Sequence, residues 1–149
     1  MESSIQKNNE NLRDSHLCNN HRIIDANLNR LKEGLRVIED ILRYSFNNKA
    51  LATSIKTLRH KCKIDNYIDI IKQRESTHDV LKESINDEMQ RESLENIIIA
   101  NFKRTQESSR VLEEIYKLEN KVYSETFKNI RYELYVLEKQ ILLTFFNKI

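Results

Sequence analysis

Ile24-Asp25-Ala26-Asn27-Leu28-Asn29-Arg30 and Ile98-Ile99-Ala100-Asn101-Phe102-Lys103-Arg104 are one helical phrase written twice, and reading one against the other decides the fold. At an offset of 74 residues the match continues: Glu33 falls on Glu107, Arg36 on Arg110, Val37 on Val111, Glu39 on Glu113 and Ile41 on Ile115. At an offset of 72, Lys56 falls on Lys128 and Arg59 on Arg131. Nine identities in about twenty positions exceed what helical bias produces. That bias repeats apolar positions and leaves Asn, Arg and Glu free to vary.

Around both phrases the apolar period is helical. Ile24, Leu28, Leu31, Leu35, Ile38 and Leu42 recur at steps of three and four, one stripe from His21 to about Phe46. Asn47 and Asn48 are stop residues, because Asn tolerates the left-handed conformation at a helix end. A second helix is expected from Lys49 to Lys63, a third from about Arg91 to Glu119, and a fourth from Tyr123 or Ser124 onward. The expected fold is all-α: a four-helix bundle of two tandem, pseudo-two-fold-related helical hairpins. Repeat 1 covers about 21–63, a connecting segment about 64–90, and repeat 2 about 91–149, in one helical domain over 21–149. Residues 1–20 are polar without sustained period and read as a flexible N-terminal tail.

Composition points the same way. One glycine, no proline and no tryptophan in 149 residues suit long helices and poorly suit a sheet protein with its turns and bulges. Twenty-five basic against 23 acidic residues leave a net charge of +2, without the basic excess of a nucleic-acid binder. No apolar run of about 18 residues is present to span a bilayer, and 1–20 lack the apolar core of a signal peptide. A cytoplasmic protein with no membrane or nucleic-acid partner is expected. Cys18 and Cys62 show no metal or redox spacing and read as reduced thiols. The apolar end Leu142–Phe146 reads as core, with a homodimer contact as the alternative.

Repeated polar residues need a reason beyond packing. Asn27, Arg30 and Glu33 form a seam at the edge of the stripe, matched by Asn101, Arg104 and Glu107. Either the arginines pair with neighbouring acids, or the two seams converge on a cleft where guanidinium forks hold phosphate oxygens. Arg36, Arg110, Glu39 and Glu113 fall nearer the outer face and read as a solvated ion network. Arg74 to Gln90 is a long polar connection, of a length that usually carries function or disorder. His60 and His78 carry no clear signal, and no Gly-rich phosphate loop is present.

Three blocks carry a resemblance: Arg22 to Asp40 (RIIDANLNRLKEGLRVIED), Ala100 to Glu114 (ANFKRTQESSRVLEE) and Ile130 to Lys139 (IRYELYVLEK). They resemble the monofunctional hydroxymethylpyrimidine phosphate kinase family, an all-helical domain found alone or fused in front of thiamin-phosphate synthase. The resemblance runs from Arg22 to the C-terminus. It implies an ATP- and Mg²⁺-dependent phosphotransferase that converts the pyrimidine phosphate to its diphosphate. No β/α barrel follows, so the synthase activity of fused relatives is not expected.

By position, the resemblance implies phosphate-handling roles for Arg30, Arg104, Lys103 and Arg74, and a Mg²⁺ carboxylate at Asp79. Asp25, Asn27, Glu33, Asn101 and Glu107 match polar positions of the two family helices, and Arg59 and Arg131 match its L-R-H and L-R-Y. Relatives usually read R-D-x-x-x-D-V-G where this chain has Arg74, Glu75, Asp79, Val80 and Leu81. Ser108-Ser109 likewise replaces Ala-Leu. The lost glycine is expected to alter the loop's path. The rival reading is a non-catalytic helical binding or scaffold module, dimeric in one form.

Overall fold

In the computed structural model the chain is all-helical, and the structure describes residues 2–85 and 90–147. Helix α1 spans Glu2–Asp40 and passes into a π-helical turn over Ile41–Ser45. Helices α2 (Lys49–Lys61), α3 (Tyr67–Ile71), α4 (Leu94–Tyr116) and α5 (Lys121–Phe146) follow. α1 packs most extensively on α4, α4 on α5, and α1 on α2, while α2 and α5 barely meet. Among the described residues no helix is long and apolar enough to cross a membrane.

The stripe read from the sequence is the core. Ile24, Leu31, Leu35 and Ile38 of α1 and Leu42 of the π-helical turn are fully buried in one core with Ile98, Phe102 and Leu112 of α4 and Phe127 and Leu134 of α5. Sequestering side chains of this size supplies the main driving force, on the order of 2 kcal/mol each. Asn47 adopts φ 49°, and it alone among the described non-glycine residues is left-handed, which turns the chain between α1 and α2. Two asparagines then start the second helix of each repeat. Asn48 Oδ1 accepts from Leu51 N–H at 2.9 Å, and Asn120 Oδ1 from Val122 and Tyr123 N–H at 3.1 Å each. Such caps satisfy amides that have no partner within the helix.

Two expectations are corrected. Residues 2–20, read as a tail, continue α1: the helix is already nucleated by its packed part and meets no glycine or proline to stop it. Glu39 and Glu113, read as outer-face residues, are buried, at 2% and 4% exposure. The C-terminal aromatics pack inward, with the Phe145 ring stacked on Phe46 at 4.2 Å and Phe146 edge-on to it at 5.8 Å. Cys62 is a buried free thiol, and the side chain of Cys18 lies outside the described residues.

Candidate functional site

On α1, Ala26, Arg30, Glu33 and Val37 recur at steps of four, three and four, so they share one face, away from the buried stripe. Ala100, Arg104, Glu107 and Val111 make the same stripe on α4. The two helices run in opposite directions. Gly34 meets Asn101 and Thr105 at one end of the contact, and Asn27 lines a common cleft with Ser108 and Val111 at the other. Arg30 and Arg104 therefore stand at the middle of the shared face, and both line that cleft.

The cleft has a volume of about 1000 Å³. Its floor is Asn27 and Arg30 of α1 with Arg104, Glu107, Ser108 and Val111 of α4; its roof is the connection before α4, through Ser76, Thr77, Asp79, Leu81, Lys82 and Ser84, with Arg91 at the edge. One ion pair pins the roof. Arg74 donates through Nε and Nη2 to the two oxygens of Asp25, at 2.8 and 2.7 Å. This two-point bond holds the Arg74 guanidinium even further above its ordinary pKa. Within the roof, Asp79 Oδ1 accepts from Leu81 N–H at 2.9 Å and Glu75 Oε1 from His78 N–H at 3.1 Å, local turns that shape the loop. Leu81 has ordinary negative φ, so the glycine of relatives is not needed for a left-handed bend in this path.

Electrostatics separates the six arginines of the repeat and Arg74 into two groups; Arg22 and Arg43, which do not line this cleft, also make no ion pair with a described residue. Arg36, Arg59, Arg74, Arg110 and Arg131 each pair with a carboxylate. Arg30 and Arg104 pair with none among the described residues. Arg30 Nη1 reaches only the Asn27 amide oxygen, at 3.5 Å. Asn27 is itself held by its amide nitrogen, which donates to Ile23 C=O at 2.9 Å, and Asn101 does the same to Ile97 C=O at 2.8 Å. Two guanidiniums without acids, from two repeats, on the floor of one cleft, form a ready receptor for an anion with several oxygens.

Of the residues singled out in the sequence, Asn27, Arg30, Asp79, Arg104 and Glu107 meet at this cleft. Glu33 and Asn101 lie on the same two helices beyond it, outside the roof. The others have internal partners. Asp25 and Arg74 hold each other. Arg59 donates to both Glu39 oxygens at 3.2 Å, and Arg131 donates to Glu113 Oε2 at 3.3 and 2.8 Å. Lys103 reaches Glu138 of α5 at 3.0 Å. Lys82 and Ser108 line the cleft without having been singled out for it. Lys82 sits in a connection with no period to read, and Ser108 was legible only as a departure from Ala. Ser108 Oγ donates to Arg104 C=O at 2.7 Å, which satisfies a hydroxyl buried at the α1–α4 contact.

Among the described residues no three His, Cys, Asp or Glu gather as metal ligands. Asp79 on the roof and Glu107 on the floor are separate carboxylates. That donor set fits Mg²⁺ arriving with phosphate oxygens, since Mg²⁺ commonly takes one or two carboxylates and completes its shell with phosphate and water.

Fold and cleft together define the class: an all-helical protein whose two repeated helices form the floor of one cleft, with an arginine from each, under a pinned loop. The chain belongs to the ThiD2 family, whose profile matches residues 22–140. A thiamine-phosphate synthase of Prochlorococcus marinus is 38% identical over 123 residues, covering 81% of this chain and 35% of that protein. The thiamine-phosphate synthase of Nostoc punctiforme is 37% identical over 123 residues, covering 82% and 35%, and that of Rhodopirellula baltica 33% over 125 residues, covering 80% and 33%. This chain thus spans about a third of the length of these relatives. No solved structure matches it.

Proposed function

We propose that the chain serves thiamin biosynthesis as a kinase that converts hydroxymethylpyrimidine phosphate to its diphosphate with ATP. The observation that carries this reading is the pair Arg30 and Arg104, one from each repeat, without carboxylate partners among the described residues on one cleft floor. The names of the relatives support the pathway, and the family resemblance supports the reaction. In the same reading the two repeats act as two helical hairpins of one pseudo-two-fold bundle, with the reacting phosphates held where the repeats meet.

The chemistry asks little covalent work of the protein. An oxygen of the acceptor phosphate attacks the γ-phosphorus, the bond to the β–γ bridging oxygen breaks, and ADP leaves with that electron pair. The acceptor is already an anion, so no proton has to be removed. Catalysis then rests on alignment and on cations around the transferring group. Arg30 and Arg104 hold equatorial oxygens, and Lys82 with the roof hydroxyls of Ser76 and Thr77 holds the remaining phosphates. Mg²⁺, when bound, offsets phosphate charge, with Asp79 as its protein ligand and Glu107 within the same cleft. The roof excludes water that would otherwise compete as acceptor.

The test is product formation by the purified protein with ATP, Mg²⁺ and hydroxymethylpyrimidine phosphate, the unphosphorylated alcohol being run alongside. Diphosphate formed from the phosphate alone is the expected result. No product from either substrate would return the chain to a helical binding module.

A further inference from the structure

The corner where α1 turns into α2 differs from its counterpart in repeat 2 in length, closure and charge. From Ile41 to Asn48 it is two residues longer than from Ile115 to Asn120, because the offset between the repeats falls from 74 to 72 across it. The extra length is taken up by the π-helical turn and the left-handed Asn47, and π-helical turns concentrate at functional sites. In repeat 2, Ser124 Oγ donates to Glu113 C=O at 2.7 Å and ties α5 down on α4. Its counterpart Ala52 has no hydroxyl to do so, and lines a cavity of about 310 Å³ with Glu39, Arg43, Asn47, Lys49 and Lys56. Charge completes the contrast. Lys117 of repeat 2 donates to Glu114 at 2.6 Å, and Glu125 stands one turn from both Lys121 and Lys128. The counterparts of those cations, Arg43, Lys49 and Lys56, make no ion pair with a described residue, and Thr53 stands where repeat 2 has the glutamate. The carboxylate on the cavity wall, Glu39, is already held by Arg36 and Arg59, and Asp40 next to it by Arg36 at 3.4 Å.

We infer that this corner is a second anion site, which takes the diphosphate group of a small molecule between Arg43, Lys49 and Lys56. Three like charges around one cavity repel each other, and packing does not call for them, because all three side chains are exposed. An anion with several charges close together removes that repulsion, and a guanidinium with two ammoniums offers donors to it from several directions. Asn48 already takes the Leu51 amide at the start of α2, so the side-chain cations, not the helix end, supply the recognition. The cavity is at the small end of ligand sites, which suits a diphosphate with little attached to it and not a whole nucleotide. Arg43 follows Arg30 by 13 positions, about 20 Å along the helix, so the site is separate from the cleft and does not rest on the kinase reading.

The experiment is titration calorimetry with inorganic pyrophosphate, without Mg²⁺. It is run on a chain carrying Arg30→Gln and Arg104→Gln, so that binding in the cleft does not mask the corner. Circular dichroism confirms that each variant is folded. Binding is expected to persist in that background. Thr53→Glu, which copies repeat 2 and leaves every cation in place, should weaken it at least about tenfold, as should Lys49→Gln with Lys56→Gln. Lys121→Gln with Lys128→Gln, the equivalent change in repeat 2, should leave it within about twofold. Binding lost altogether with Arg30 and Arg104 would place the diphosphate in the cleft alone and overturn the corner site. An equal loss from the lysines of both repeats, or none from Thr53→Glu, would reduce it to general surface charge and overturn it as well.

Discussion

Arg131 of α5 donates through Nε and Nη2 to one oxygen of Glu113 on α4, and Arg59 of α2 makes the matching bond to Glu39 on α1. The repeat therefore keeps two different kinds of arginine for two different reasons. One kind ties the second helix of each repeat to the first. The side chains of Glu113 and Arg131 are 6% and 11% exposed, so removing one partner strands a charge out of water. Glu113→Ala should cost on the order of 3 kcal/mol in urea unfolding, whereas the paired change Glu113→Gln with Arg131→Met should cost clearly less. Equal losses from both would mean that the bond does not act as a unit.

Arg30 and Arg104 are the other kind. Neither makes an ion pair with a described residue, so Arg30→Ala and Arg104→Ala should each shift stability by no more than about 0.5 kcal/mol. On the kinase reading each should lower turnover at least about a hundredfold, because charge stabilisation at a transferring group is among the largest catalytic terms. The check is one pair of measurements per variant, unfolding by urea and product formation under saturating substrate. Stability lost along with activity would make these arginines structural.

How much of this was legible beforehand differs by feature. The stripe of α1 and the equivalence of the repeats follow from periodicity and identity alone. The turn at Asn47 follows from its residue type. The division of the arginines does not, because Glu39 and Arg59 are twenty positions apart and only the packing of α2 on α1 brings them together. At 100° per residue Glu39 falls between the stripe and the outer face, and the sequence offers no sign of the partner that lets it be buried. The roof is beyond reach for a related reason: the segment from Arg74 has no period, and its course is set by one long-range bond to Asp25. Residues 2–20 failed in the opposite sense. Their polar pattern gives no reason to pack, yet a helix already nucleated downstream extends through them.

The roof bond makes a prediction of its own. Arg74 is 36% exposed, so its pair with Asp25 is worth little to global stability, and Asp25→Ala should lower it by about 1 kcal/mol or less. The loop is another matter, because that pair is its tie to α1. Trypsin cleavage after Lys82 should become markedly faster in Asp25→Ala, with the helical core left resistant. On the kinase reading, nucleotide affinity should fall with it. Cleavage at the wild-type rate would show that the roof is held by something else.

Burial pushes the Cys62 thiol up to about 12, with Lys32 and Arg59 opposing the shift. The raised value means that the native state keeps its proton where the unfolded chain loses it. The associated stability is whole below the unfolded value near 9.0, and is lost as pH rises from there through about 12. In a Cys18→Ser background, where Cys62 is the sole thiol, alkylation at pH 8 should therefore follow the rate of opening and speed sharply in urea. Rapid labelling of the native protein would mean that the thiol is reached without unfolding.

Gly34 is the chain's only glycine, and its position explains why it is kept in the middle of a helix. A Cβ there would lie 2.6 Å from Thr105 Cγ2, well inside contact distance, and 3.5 Å from the Asn101 carbonyl oxygen. Thr105 is fully buried and its hydroxyl donates to Phe102 C=O at 2.8 Å, so its methyl has no easy way to swing aside. Alanine in an exposed helix would gain about 1 kcal/mol over glycine; here the clash opposes that gain. Overpacking of this kind costs about 1–3 kcal/mol, so Gly34→Ala should come out destabilising. Thr105→Ser removes the offending methyl, and the double variant Gly34→Ala, Thr105→Ser should recover stability beyond the sum of the single changes. A double-mutant cycle with a favourable coupling of about 1 kcal/mol is the expected result. Strict additivity would place the constraint in the α4 backbone at Asn101 instead, and because Gly34 sets how closely α1 and α4 approach, that outcome would also tie the spacing of Arg30 and Arg104 to the backbone of one carbonyl.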